Sequence, residues 1–274
     1  MELKEKQLSG RNDFFTKCAL TTCKQVRATK ALPLYTIKGN PLKPCLAKGT
    51  KNSMAIFHAS TKAISRSSGR SAVAACAYRH ALEITDDRTG HVHDYTRKGG
   101  VLASHIVTAS DMNIARSELW NAAEAAEKRK DSRVAREWIV ALPAELDAGQ
   151  REALVLEFAS IIAGTYECAV DVALHAPSRE GDNRNFHAHL LCTTRKIEAL
   201  EDGGWRLGEK TDLELSDTKL GKLGLANGAT QITEMRMAWE MCANIALEHA
   251  GHEERIDSRS LEAQGIDRAP TIHL

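Results

Sequence analysis

The stretch GDNRNFHAHLLCTTRKI, Gly181 to Ile197, passes from a polar, glycine-led turn into an apolar run carrying two histidines one residue apart. Bounded by turn residues on one side and charge on the other, residues 186–194 read as a β-strand. Alternation sends His187, His189 and Leu191 to one face and Phe186, Ala188 and Leu190 to the other. The two imidazoles then stand about 7 Å apart along the strand, close enough to converge on one small object.

Upstream, CAVDVALHA over 168–176 is a second strand, with Val170, Val172 and Leu174 on one face and Asp171, Ala173 and His175 on the other. The segment between, 177–185, is rich in Pro, Ser, Gly, Asp and Asn, which makes a hairpin-like return the simplest connection. His175 then ends its strand where His187 begins the next. Three neutral imidazoles on adjacent strands suit a divalent ion and leave positions open for substrate. The His-x-His pair taken alone reads rather as a solvated or hydrogen-bonded pair, and His175 is what brings the metal reading level with it.

Working outward, residues 54–60 (MAIFHAS) read as a strand and 71–82 as an alanine-rich helix. Residues 84–95 form a hairpin turning on Asp87 to Gly90, and 101–107 a further strand. Helical spacing covers 113–129, a strand runs from Arg136 to Leu142, and a helix spans 147–163. A polar, glycine-rich stretch over 201–229 precedes a last helix from Thr230 to about His249, stopped near Gly251. The class is α+β: one mostly antiparallel central sheet covered by helices.

The chain has 274 residues and a formal net charge of +1. The charge is unevenly spread: residues 1–53 hold 11 Lys/Arg against 3 Asp/Glu, a balance of +8, leaving 26 against 33, or −7, for 54–274. The first 53 residues read as a flexible basic leader, and the rest as one domain, 54–274. Seven cysteines without a CxxC pair, and no apolar run of about 18 residues, predict a reduced cytoplasmic protein without membrane insertion.

Before the alanine-rich helix, Ser65 to Ser71 sets small hydroxyls, Arg66 and Arg70 around a glycine. This is either a solvated loop with a serine cap or a phosphate cradle at a helix start. Tyr78 follows two turns into the helix.

Three runs in this order resemble the MobA/MobL family of plasmid-mobilisation relaxases, in the wider HUH endonuclease group. They are MAIFHASTKAISRSSGRSAVAACAYRHAL…DDRTGHVHDYTRKGGV, LHAPSREGDNRNFHAHLLCTTR and the tail from WEMCANIALEHAGHEERIDSRS onward. The resemblance runs from Met54 to Leu274 and implies a palm-type relaxase fold. It implies that Tyr78, the 25th residue counted from Met54, is the nucleophile and that His175, His187 and His189 hold a divalent ion, Mg or Mn, with Zn also open. The implied reaction cuts and rejoins single-stranded DNA at an origin of transfer through a 5′-phosphotyrosine, alongside accessory mobilisation proteins and a type IV secretion coupling protein.

Within that reading, Arg66, Arg70 and Arg79 are candidates to assist a phenol whose ordinary pKa of about 10 makes it a weak nucleophile. Glu137 is the candidate partner that orients a histidine ligand, with Asp171 as competitor. Because residues 54–274 are negative, DNA contact is expected from a local patch drawing on Arg97, Lys98, Arg184, Arg195 and Lys196. Two rivals stand beside it: a DNA-binding module with a structural metal, and a metal-dependent hydrolase with a water nucleophile.

Overall fold

The structure, a computed structural model, describes residues 56–110, 112–178, 180–260 and 262–265. The chain divides into two units, Met1–Ser53 and Met54–Leu274. The leader expected over 1–53 lies outside the described residues.

Five strands build the central sheet in the order β1 (Ala59–Ser65), β5 (Arg133–Ala141), β7 (His187–Thr193), β6 (Val170–His175) and β4 (Val101–Val107). Every neighbouring pair is antiparallel, as the sequence predicts. Alternation sorts the sheet's side chains to two helical layers. On one face Trp138, Val140, Val172, Leu174, Ala188 and Leu190 pack against α3 (Ala148–Tyr166) and α5 (Gly228–His249). Phe158 of α3 meets Trp239 edge-on with ring centroids 5.1 Å apart, and such rings each withdraw about 150–250 Å² from water. On the other face Ile64, Ala135 and Leu191 pack against α1 (Ala72–His80) and α2 (Arg116–Ala125).

Local chemistry sets the helix starts. Asp147 and Gln150 form a reciprocal capping box on α3, and Asn227 caps α5. Ser71 Oγ accepts from the Ala74 amide and donates to Asp86 at 2.9 Å, which ties the start of α1 to the hairpin of β2 (Glu83–Asp86) and β3 (His91–Asp94).

Two expectations are corrected. The strand predicted over 54–60 begins at Ala59 and continues to Ser65, because the long β5 pairs with it from Ala59↔Val140 to Ser65↔Arg133. The stretch read as a polar connection over 201–229 contains β9 (Trp205–Lys210), paired with β8 (Arg195–Ala199), and the short α4 (Asp217–Lys222). No helix among the described residues is long and apolar enough to cross a membrane.

Candidate active site

In the β6–β7 ladder His175 lies directly opposite His187, and His189 follows on the same face. The three rings stand 5.0–5.3 Å apart by centroid, and a ligand atom from each lies within 4.8 Å of the others. Each ring has one nitrogen committed to a protein acceptor. His175 Nε2 donates to the Arg79 carbonyl at 2.7 Å, His187 Nδ1 to the Asn185 carbonyl at 3.0 Å, and His189 Nδ1 to Glu137 Oε1 at 2.7 Å. The bonds leave Nδ1 of His175 and Nε2 of His187 and His189 with lone pairs for an ion.

The electrostatics agree with neutral ligands. Burial pushes His175 down to about 4, although its bond to the Arg79 carbonyl acts the other way. His189 is also lowered, burial outweighing the pull of Glu137. Three neutral imidazoles with open positions fit a divalent transition ion. Cys192, the nearest candidate for a fourth ligand in sequence, is buried on the opposite face, in the α3 and α5 core.

Glu137 is fully buried beneath the histidines. Burial alone would raise its carboxyl, but bonds from His189 and Arg79 hold it far below its ordinary range. Arg79 Nε donates to Glu137 Oε1, and Lys62, opposite Glu137 in the β1–β5 register, pairs with Oε2 at 3.2 Å. Asp171, the competing choice, serves another set. It accepts from Arg116 at 2.8 Å and Trp120 at 2.9 Å, and pairs with His80 at 3.0 Å.

Tyr78 lies on α1 directly before Arg79 and is 47% exposed. The ring is held from two sides: Lys98 Nζ lies 3.3 Å from its centroid, and Tyr95 meets it edge-on at 5.2 Å. Lys98 also donates to the Tyr78 carbonyl at 3.3 Å. Sequence reasoning had Lys98 in a DNA groove and left out Tyr95 and Lys62. An aromatic just after β3 and a lysine in β1 become informative only once the pairing is known.

The arginine expectations divide. Arg66 is turned inward and clamped to Glu124 at 2.7 Å, with further bonds to the Glu127 and Arg129 carbonyls, so its guanidinium is not presented to a ligand. Arg79 likewise faces Glu137 and the Ala75 carbonyl. Arg195 pairs with Glu127 at 2.8 Å, Lys196 pairs with Glu167, and Arg184 pairs with Asp182 at 2.8 Å in an exposed loop. Three residues of the expected local patch, Arg184, Arg195 and Lys196, are thus each paired with a carboxylate. Arg70 is exposed.

The MobA/MobL family profile matches residues 70–274. The chain belongs to the MobA/MobL family. It is 43% identical over 242 residues to mobilization protein MobL of Acidithiobacillus ferridurans, covering 81% of this chain and 62% of MobL. To mobilization protein A of Escherichia coli it is 33% identical over 233 residues, covering 81% of this chain and 29% of that protein. This MobA/MobL chain thus spans less than two thirds of the length of these relatives. A solved structure described as the molecular basis of vancomycin resistance transfer in Staphylococcus aureus superposes with a TM-score of 0.61 at 29% identity. It covers 75% of this chain and all of that one.

Proposed function

We propose that this MobA/MobL chain nicks and rejoins one strand of DNA at a plasmid origin of transfer, with Tyr78 as nucleophile. The observation that carries the reading is the join between the two parts of the site: the residue after Tyr78 accepts the His175 bond through its carbonyl and reaches Glu137 through its side chain. The helix of the exposed phenol and the three-histidine cluster are thereby linked through Arg79.

Tyr78 Oη attacks the scissile phosphorus, forming a P–O bond to the tyrosine while the bond to the 3′ oxygen breaks. The phenolic proton passes to solvent, and the departing 3′ oxygen takes a proton from solvent to become a 3′-hydroxyl. Because the 5′-phosphotyrosine keeps the ester energy, the reverse attack rejoins the strand without a nucleotide cofactor. Lys98 and Tyr95 keep the ring in place, and Lys98 brings positive charge to the nucleophile. A divalent ion bound by His175, His187 and His189 would supply Lewis-acid stabilisation of the phosphate oxygens. Glu137 holds His189 in the required tautomer.

A three-histidine set with Cys192 on the far face suits an open site better than a closed structural one. A water nucleophile would leave the held, exposed phenol of Tyr78 without a task. Single-stranded DNA is the partner, with accessory mobilisation proteins and a secretion coupling protein acting on the same complex in the cytoplasm. The test is to incubate the protein with labelled single-stranded fragments tiled across the plasmid's origin and look for a covalent adduct on a denaturing gel. Adduct with one fragment and one strand supports the proposal; cleavage that leaves all label free of protein contradicts it.

A further inference from the structure

A basin of about 790 Å³ opens at the other end of α1, where Ser71 caps the helix, between the β2–β3 turn and the end of α2. Arg70, Arg88, Lys128 and Lys130 line it, and all four are exposed. The carboxylates in its floor already have partners, Glu124 and Glu127 cationic ones and Asp86 neutral donors. Glu124 accepts from Arg66 and from the Ala72 amide at 2.7 Å, and Glu127 is paired with Arg195 and Lys210 at 2.8 Å each. Asp86 is 1% exposed and accepts from Ser71 and the Arg88 and Thr89 amides. Among the described residues no carboxylate pairs with Arg70, Lys128 or Lys130, so the surface presented is cationic although residues 54–274 carry a balance of −7.

His91 and His93 complete the wall, with ring centroids 4.6 Å apart. Both project from one face of β3 and offer flat rings rather than an apolar anchor pocket. The rest of the lining is small or polar, including Gly69, Thr89 and Ala125. Protein partners are usually gripped by buried aromatic or aliphatic anchors, which this basin lacks. Cations along a groove with planar rings between them suit a nucleic-acid strand, its phosphates on the cations and its bases against the rings.

We propose that this basin binds the phosphate backbone of the single-stranded DNA flanking the bond cut at Tyr78. The proposal rests on the DNA-nicking reading for its choice of ligand, while its test does not need the nicking step. From Ser71 to Tyr78 is seven residues of α1, about 10 Å at 1.5 Å per residue, which one strand crosses within a few nucleotides. A strand engaged at Tyr78 therefore has a cationic groove within reach, and flanking nucleotides add affinity there.

The full chain is titrated with fluorescent oligothymidylates of about 6 and about 24 nucleotides, one near the short end of the common ~4–16-nucleotide footprint and one beyond it. The comparison is wild type against an Arg70→Gln, Lys128→Gln, Lys130→Gln variant; the changed side chains are exposed and unpaired, so folding is retained. The variant should bind the long oligonucleotide at least about tenfold more weakly, with a slope of log K against log salt shallower by about 2, three contacts at ~0.7 each. The affinity gain of the long over the short oligonucleotide should collapse, and Lys128→Arg with Lys130→Arg should keep it. Unchanged long-oligonucleotide affinity and slope would overturn the proposal. So would poly-glutamate binding as tightly as the long oligonucleotide and losing affinity in the same variant, which would make the basin a dock for acidic protein. If these binding results hold while no adduct forms, the nicking reading fails and the basin stands.

Discussion

His175 Nε2 and the Arg79 carbonyl lie 2.7 Å apart, joining the end of β6 to the helix that carries Tyr78. Arg79 closes the same link a second time, its guanidinium meeting the Glu137 carboxylate that orients His189. One residue thus ties the helix that carries Tyr78 to two of the three imidazoles, to His175 directly and to His189 through Glu137. On the proposed reading, groups held this way would need little reorganisation when substrate arrives, which is how a preorganised site lowers a barrier.

Glu137→Gln tests the buried half of this link. The substitution leaves Arg79 and Lys62 facing a neutral amide at a fully buried position. Breaking a buried charge pair costs about 3–5 kcal/mol, and losing a histidine's orienting carboxylate lowers metal affinity by about 10–100-fold. Denaturant unfolding and calorimetric titration with Mn²⁺ measure the two effects. Unchanged metal affinity in a folded variant would show that the carboxylate does not tune the ligand.

His187→Ala separates metal binding from folding. His187 is only half-buried and its recorded partner is a neighbouring backbone carbonyl, so stability should change by no more than about 0.5 kcal/mol. Metal binding should weaken by at least about tenfold, and chelation of the wild type should reduce adduct formation much more than DNA binding. A variant that binds Mn²⁺ or Zn²⁺ as tightly as wild type would remove His187 from the ligand set.

What was legible in the sequence follows from which interactions are local. The faces of β6 and β7 could be read because side-chain alternation is a property of each strand alone, and the turn-rich link forced His175 against His187. Glu137 could be singled out, but its pair with Lys62 required strands about 75 residues apart to align, and its bond from Arg79 required α1 to pack onto the sheet. The partners of Arg66 and Arg195 could not be read for the same reason. An arginine beside a glycine-serine loop looks ready for phosphate, and nothing nearby in sequence announces that Glu124 and Glu127 arrive from the end of α2 to take it. The β8–β9 hairpin was missed because Gly203, Gly204 and Gly208 interrupt the alternation by which a strand is recognised.

Asp171 makes acid stability testable. Burial would raise its carboxyl, but bonds and charge from His80, with Arg116 and Trp120, bring it below the ordinary value. A depressed folded value means that the stabilisation is fully present above the unfolded pKa, about 3.9, and is lost as pH falls through the folded value. Unfolding free energy from Asp171 should therefore be constant near neutrality and decline below about pH 4. Asp171→Asn should lose about 3–5 kcal/mol at pH 7 and show a shallower decline with acid. Parallel acid profiles for variant and wild type would contradict this.

The central claim is that the Tyr78 phenol becomes joined to DNA. The most direct measurement is peptide mass mapping of the adduct formed with a single-stranded origin fragment, run beside Tyr78→Phe. The substitution removes one oxygen from a side chain that is 47% exposed, so the variant should fold and bind single strands nearly as wild type does. The expected result is a nucleotide mass on the peptide containing Tyr78 in the wild type and no adduct from Tyr78→Phe. A nucleotide mass on any other residue, or a wild-type yield of adduct from the phenylalanine variant, would contradict it.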